Sequence, residues 1–359
     1  MIHTKKAALA AALAAVATLA LAGCSAPATA SSSSTSAASV VPLVLYSAQG
    51  YDSVMAKAFQ KSTGIPVKLV DDSTGPLLTK VEAEKNNPQW GLLWVDGDTA
   101  FASLDKRGML EPYLTTNTLN TVGKALTPKD HSYTPTGATV MAALIYNSAK
   151  VTSVPTSYSD LLGSPYAGKV GMNDPSQSGP TYPFIAGVMN QLGGQSGGVK
   201  AGETYFTKLK ANGLKVYPTN GDTLHALETG QIQYGLIQSS AAEGEVLKLA
   251  AKPVAGFAPK VAYLPKATLL PGVIAIDKGA SDTVKAEAKK FIDFTLSAAG
   301  QKVMQTGDPQ GDSLYWPVVD SVQPLAGLSP LPSAYQTIDP YFWGPLQGEV
   351  VTWFTSSIK

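Results

Sequence analysis

The chain of 359 residues has one cysteine, Cys24, one arginine, Arg107, and three histidines. A single thiol leaves no partner for a disulfide within the chain, so stability has to come from packing. One arginine and no basic cluster exclude a nucleic-acid partner, which needs a phosphate-neutralising patch. Beyond the first segment only His131 and His225 remain. His225, in DTLHALETG, reads as a surface histidine on a helix. Serine hydrolysis needs a nucleophile, a base and an orienter in contact, and no nucleophile elbow is read between a strand and a helix. No GxGxxG occurs, and no GxxxxGK is followed by Ser or Thr, so a nucleotide fingerprint is missing as well. The chain is therefore expected not to be an enzyme and to need no cofactor and no metal.

Long apolar runs are also missing after the amino terminus. There MIHTKK gives a short positive region, AALAAALAAVATLALAG an apolar one, and LAGC sets Cys24 behind small residues. That is the pattern of a secretory signal over residues 1–23. Leu21, Ala22, Gly23 and Cys24 resemble the lipobox of bacterial lipoproteins, which implies lipidation at Cys24 and a membrane attachment facing the periplasm or cell exterior. The following SAPATASSSSTSAASV carries no charge and little that packs, so residues 24–40 read as a flexible tether. Without Lys5 and Lys6 of the signal, 25 basic residues face 26 acidic ones, a net charge of −1. Nearly 320 residues remain, enough for two domains.

What is present begins with PLVLYSAQG, a strand, then YDSVMAKAFQKSTG, a helix stopped at Gly64. IPVKLVDDSTG is a second strand, PLLTKVEAEKNNP a helix and GLLWVDGD a third strand. Strand and helix in alternation predict a parallel sheet covered on both faces. Ligands of such sheets bind beyond the carboxyl ends of the strands. Those ends are Ser47-Ala48-Gln49, Ser73-Thr74-Gly75 and Asp96-Gly97-Asp98. TVMAALIYNSAKV leaves this block as a long strand. A second α/β block follows, from GKVGMNDP to IQYGLIQSS, and VAYLPKATLLPGVIAI returns as extended chain before the helical SDTVKAEAKKFIDFTLSAAGQKVMQ. Two crossings predict two lobes with a hinge and a cleft between them.

LVLYSAQG, AFQKSTGIPVKLV and STGPLLTKVEAEKNNPQWGLLWV together resemble the amino-terminal half of type II periplasmic solute-binding proteins of ABC importers. The nearest subgroup takes up ferric iron, phosphonates and sugar phosphates. ALETGQIQYGLIQSS and AKKFIDFTLSAAGQKVM resemble later segments of the same family. The resemblance covers about residues 41–310. It implies an α/β, two-lobed periplasmic-binding-protein type II fold with a ligand cleft and two hinge crossovers. Residues 41–140 are then the first part of lobe 1, 141–265 lobe 2, and 266–359 a return to lobe 1. It also implies a monomer that delivers a solute to a membrane permease and its ATPase. A surface sensor or adhesin on the same lobes is the alternative without transport.

Ferric binders of the family look like proteins with adjacent tyrosines after the strand that here ends IQYGLIQSS. This chain has Ser239-Ser240 there, and Gly50-Tyr51 where many show a histidine or acid. Both departures point away from iron, although a set drawn from Tyr46, Tyr51 or Tyr182 stays open as an alternative. Serine hydroxyls and helix-start N–H groups suit an oxyanion instead. Three strand-to-helix junctions carry such donors: Ser73-Thr74, Ser178-Gly179-Pro180-Thr181 and Ser239-Ser240. Ordinary helix capping explains any one of them equally well. The expected ligand is a small anionic solute, a phosphonate or sugar phosphate. Its expected contacts add Ser47, Gln49 and Tyr182, with Asp98 or Asp222 taking a hydroxyl or amine. Trp316, in an aromatic tail expected on lobe 1, is a further aromatic near the cleft.

Overall fold

The computed structural model describes residues 41–359. The signal, the lipobox with Cys24 and the tether lie outside the described residues.

In chain order, β1 (Leu43–Ser47), α1 (Asp52–Thr63), β2 (Val67–Asp71), α2 (Thr74–Ala83), β3 (Leu92–Asp96), α3 (Asp98–Lys106), β4 (Leu110–Glu111) and α4 (Thr121–Leu126) lead to the long β5 (Thr134–Asn147). Then come β6 (Val170–Asn173), α5 (Thr181–Ala211), β7 (Lys215–Tyr217), α6 (Asn220–Glu228), β8 (Tyr234–Ile237) and α7 (Ser239–Ala251). The second long strand, β9 (Pro259–Asp277), is followed by α8 (Asp282–Leu296), α9 (Ala298–Gly307), α10 (Pro340–Trp343) and α11 (Gln347–Ser357).

β1 pairs in parallel with β2 and β3, and β6 in parallel with β7 and β8. Each block is covered on both faces, and the two-residue alternation of strands shows how. Leu43, Leu45, Leu92 and Trp94 enter one core with Phe59 and Phe291, whereas Tyr46, Leu93 and Val95 enter another with Leu77 and Phe101. These two cores make lobe 1. In lobe 2, Phe184, Phe206 and Leu236 pack on one face, and Ala226, Leu227 and Ile237 on the other.

β5 and β9 join the lobes. They run antiparallel to each other from Thr134 opposite Ile274 to Asn147 opposite Pro259. Along β5, Ala138 and Val140 belong to a lobe 1 core, while Leu144 and Ile145 belong to lobe 2. β9 does the same in reverse, with Leu264 in lobe 2 and Ile274 and Ile276 in lobe 1. The two extended passages read in the sequence are these hinge strands.

Two local readings change. The helical stretch after Ser281 is two helices, because Ser297 caps the second by accepting from the Gly300 N–H at 3.1 Å. The aromatic tail, expected on lobe 1, divides between the lobes. Leu314 to Val319 runs beside β5, with Tyr315, Trp316, Val318 and Val319 in a lobe 1 core. Trp343, Val350, Phe354 and Ile358 complete the core of lobe 2 around Tyr182, Phe184 and Phe206. The gain is burial: α5 alone leaves an apolar face that α11 covers.

Candidate ligand-binding cleft

Four helices start at the mouth between the lobes: α2 from lobe 1, and α5, α6 and α7 from lobe 2. Residues at or just before these starts line one cavity of about 200 Å³ with Ala48, Asp96 and Asp312. Thr74 of α2 lines it with its cap Ser73, the approach to α5 contributes Gln177 to Pro180, α6 contributes Asn220 and Gly221 with their cap Thr219, and α7 contributes only its cap Gln238. The first N–H groups of a helix have no partner within it, so such starts offer donors and a favourable field for an anion. At α5 the Thr181 and Tyr182 N–H groups already donate to the Ser178 and Gly179 carbonyls, which leaves the Ser178 hydroxyl as that junction's donor. Ser73, the cap of α2, makes no capping hydrogen bond, which leaves its hydroxyl available. Asn173 supports the other wall, donating to Ser178 Oγ at 3.3 Å and to Asn220 Oδ1 at 2.6 Å.

The floor is acidic. Asp96, at the end of β3, accepts from Gln49 Nε2 at 3.0 Å and from Gln238 Nε2 at 2.9 Å. Gln49 in turn accepts from the Tyr51 hydroxyl at 2.7 Å. Asp312 accepts from the Gly50 N–H at 2.8 Å, and its other oxygen lies 3.5 Å from Ser240 Oγ. Burial raises both carboxyls above the usual range. Asp312 is pushed up to about 7 by burial first and then by the charge of Asp96. Among the described residues, no lysine, arginine or histidine lines the cavity. An anion here meets neutral donors on the helix side, and a cation meets carboxylates on the floor.

The lobes touch across this cavity. The Asp96–Gln238 hydrogen bond joins β3 to the start of α7. Gly179 lies so close to Thr74 that a Cβ on it would overlap the threonine side chain, and Gly75 lies equally close to the Ser176 carbonyl. This is a closed arrangement in which glycine permits the approach.

Of the residues expected at the site, Ser73, Thr74, Ser178 and Gly179 line the cavity. Gln49 sits behind them, holding Asp96. The others are placed differently. Ser47 is fully buried and accepts from the Gln49 N–H. Thr181 is fully buried, and its hydroxyl has no partner. Tyr182 points into the lobe 2 core and donates to the Trp343 carbonyl. Asp222 is committed to the capping box of α6 with Thr219. Ser239 is buried and accepts from the Val140 N–H at 3.0 Å, while Ser240 only reaches Asp312. Asp98 opens onto a different cavity, because Gly97, with φ of 96°, turns the chain between it and Asp96. Trp316 packs on Tyr263 and donates to the Ser329 carbonyl, away from the cleft.

Sequence reasoning missed Asn220, Gly221, Gln238 and Asp312. Asn220 was visible beside Asp222, and Gln238 directly before Ser239, but only the fold decides which neighbour faces in. Asp312 comes from a loop after α9 with no local signature. Two partial motifs carry no chemistry. Gly163 to Lys169 has P-loop spacing but runs into strand β6 instead of a helix, and Gly194 to Gly198 has GxSxG spacing inside α5. Among the described residues, no three His, Cys, Asp or Glu side chains meet as a metal site.

Residues 54–336 match the family of bacterial extracellular solute-binding proteins. A periplasmic protein of Salmonella typhimurium, named for 2-aminoethylphosphonate binding, is 26% identical over 252 residues, 69% of each chain. Iron-bound HitA from Pseudomonas aeruginosa superposes with a TM-score of 0.71 at 23% identity, covering 88% of this chain and 99% of that one. AfuA from Actinobacillus pleuropneumoniae, with fructose-6-phosphate bound, gives 0.72 at 20% identity, covering 88% and 98%. With two lobes, two hinge strands and a cleft of helix starts, the chain belongs to the bacterial extracellular solute-binding proteins, as a type II, non-catalytic solute-binding component of an ABC import system.

Proposed function

We propose that the solute is a small phosphonate or phosphate ester that also carries an amine, of the aminoalkylphosphonate kind. The observation that carries this reading is the cavity's polarity: helix starts with small neutral donors on one side, two carboxylates on the other, and no basic side chain between. The oxyanion takes N–H and hydroxyl bonds from the starts of α2 and α6 and a hydroxyl bond from Ser178 ahead of α5. The ammonium group sits against Asp96 and Asp312 and holds both ionised, offsetting the burial that otherwise favours their neutral forms. The Salmonella relative named for 2-aminoethylphosphonate supports the same class. A plain sugar phosphate would leave the two acids without a counter-charge.

Iron as cargo is the second reading, favoured by the likeness to HitA. The tyrosines left open as iron ligands are engaged elsewhere. Tyr46 donates to Glu84, Tyr51 to Gln49 and Tyr182 to the Trp343 carbonyl. Exported and lipidated at Cys24, the protein works on a tether beside its permease. Metabolic palmitate labelling that is lost in Cys24→Ala checks the anchor.

The ligand itself is tested by native mass spectrometry of the freshly purified chain without its signal. A mass excess matching a small aminophosphonate is the expected result. Bound iron would overturn the reading.

A further inference from the structure

A second cavity, of about 500 Å³, shares no lining residue with the cleft. Its walls come from three places: Asp98 and Asp105 on α3, residues 125–130 with Tyr133, and Thr337 to Tyr341 of the tail. Three carboxyls, of Asp98, Asp105 and Asp130, face it against one base, Lys129, with Leu126, Pro128, Ile338 and Pro340 as the apolar part. Its volume lies in the range of small-molecule sites.

Acidic residues alone would not make this a site, but the polar groups around them are incompletely matched. Tyr133 is 3% exposed, lines the cavity, and its hydroxyl makes no hydrogen bond among the described residues. In the turn before it, His131 Nδ1 and Ser132 Oγ are buried without partners among the described residues, behind the cavity wall. Asp105 already accepts from the Tyr341 hydroxyl at 2.8 Å. Asp98 pairs with no lysine or arginine among the described residues, the one base of the cavity being Lys129. Its carboxyl is raised to about 7, chiefly by burial and further by the charge of Asp339.

We propose that this cavity is a second binding site, for a small primary organic ammonium with an apolar stem. The ammonium donates to the Asp98 carboxylate and the Tyr133 hydroxyl oxygen, and the stem lies on Leu126, Pro128 and Ile338. An ammonium supplies three donors and no acceptor, matching a wall that is rich in acceptors. The ligand would touch α3 of lobe 1 and the tail segment that continues into the lobe 2 core.

The probe is n-butylammonium chloride, titrated calorimetrically into the mature protein and soaked into its crystals. The expected result is an alkylammonium in this cavity, with affinity falling about tenfold in Asp98→Asn. Tyr133→Phe should weaken binding severalfold with an unchanged circular dichroism spectrum, which guards against misfolding of the first variant. Asp312→Asn separates the two cavities, because the cleft also attracts cations. Binding lost in Asp312→Asn but kept in Asp98→Asn would put the amine in the cleft alone and overturn the proposal. Absence of heat together with an empty cavity in soaked crystals would overturn it as well.

Discussion

Asp312 is held beside Asp96 by backbone and side-chain donors, without a cation, and burial makes its ionisation costly. Asp98 and Asp52 share that condition, with Asp52 raised to about 6 mainly by burial. Between the ordinary carboxyl value and these raised ones, the folded state binds more protons than the unfolded chain. Stability of the ligand-free protein is therefore greatest at the acid end of this window and falls as pH rises from about 4 to about 8. Melting temperature against pH should show that decline, and Asp312→Asn should flatten it, adding about 1 kcal/mol near neutrality. The same substitution should weaken an amine-bearing ligand about tenfold or more by calorimetry. Tyr182 gives the opposite pattern. Tyr182→Phe removes the donor to the Trp343 carbonyl and should cost about 1–2 kcal/mol in denaturant unfolding, with ligand affinity unchanged. At this scale the sequence was only partly legible. A serine before a helix marks a helix start, but whether its hydroxyl faces solute or core depends on packing, as the contrast of Ser73 with Ser239 shows.

In the proposed site the helix starts do the recognition, and strands set where those starts are. The order of strands and helices was legible because Leu43, Leu45 and Trp94 alternate with Tyr46, Leu93 and Val95 between two cores. What the pattern could not give is the approach of one start to another. Gly179 against Thr74, and Gly75 against the Ser176 carbonyl, let the starts of α2 and α5 meet. In Gly179→Ala the added methyl competes with Thr74 for space, so closure is blocked while each lobe keeps its own core. Ligand affinity should fall at least about tenfold. Small-angle scattering with ligand should show a larger radius of gyration than the closed wild type. An unchanged affinity would mean that the contact is not part of the bound state.

As a whole molecule, the chain crosses between lobes on β5 and β9, and the tail connects them again. α10 packs on α3, while α11 packs on α5. The two hinge strands were legible as extended passages around a compact block. The tail's third connection was not, because its aromatics suit either core and only the uncovered face of α5 decides. The proposed function gives the closed cleft a solute that is anionic at one end and cationic at the other. Calorimetric titration of the mature protein with 2-aminoethylphosphonate and with ethylphosphonate, which lacks only the amine, tests this most directly. The expected result is tighter binding of the amine-bearing compound by about tenfold or more, a difference that disappears in Asp312→Asn. Equal affinity for the two compounds, or binding of ferric ion and neither phosphonate, would contradict it.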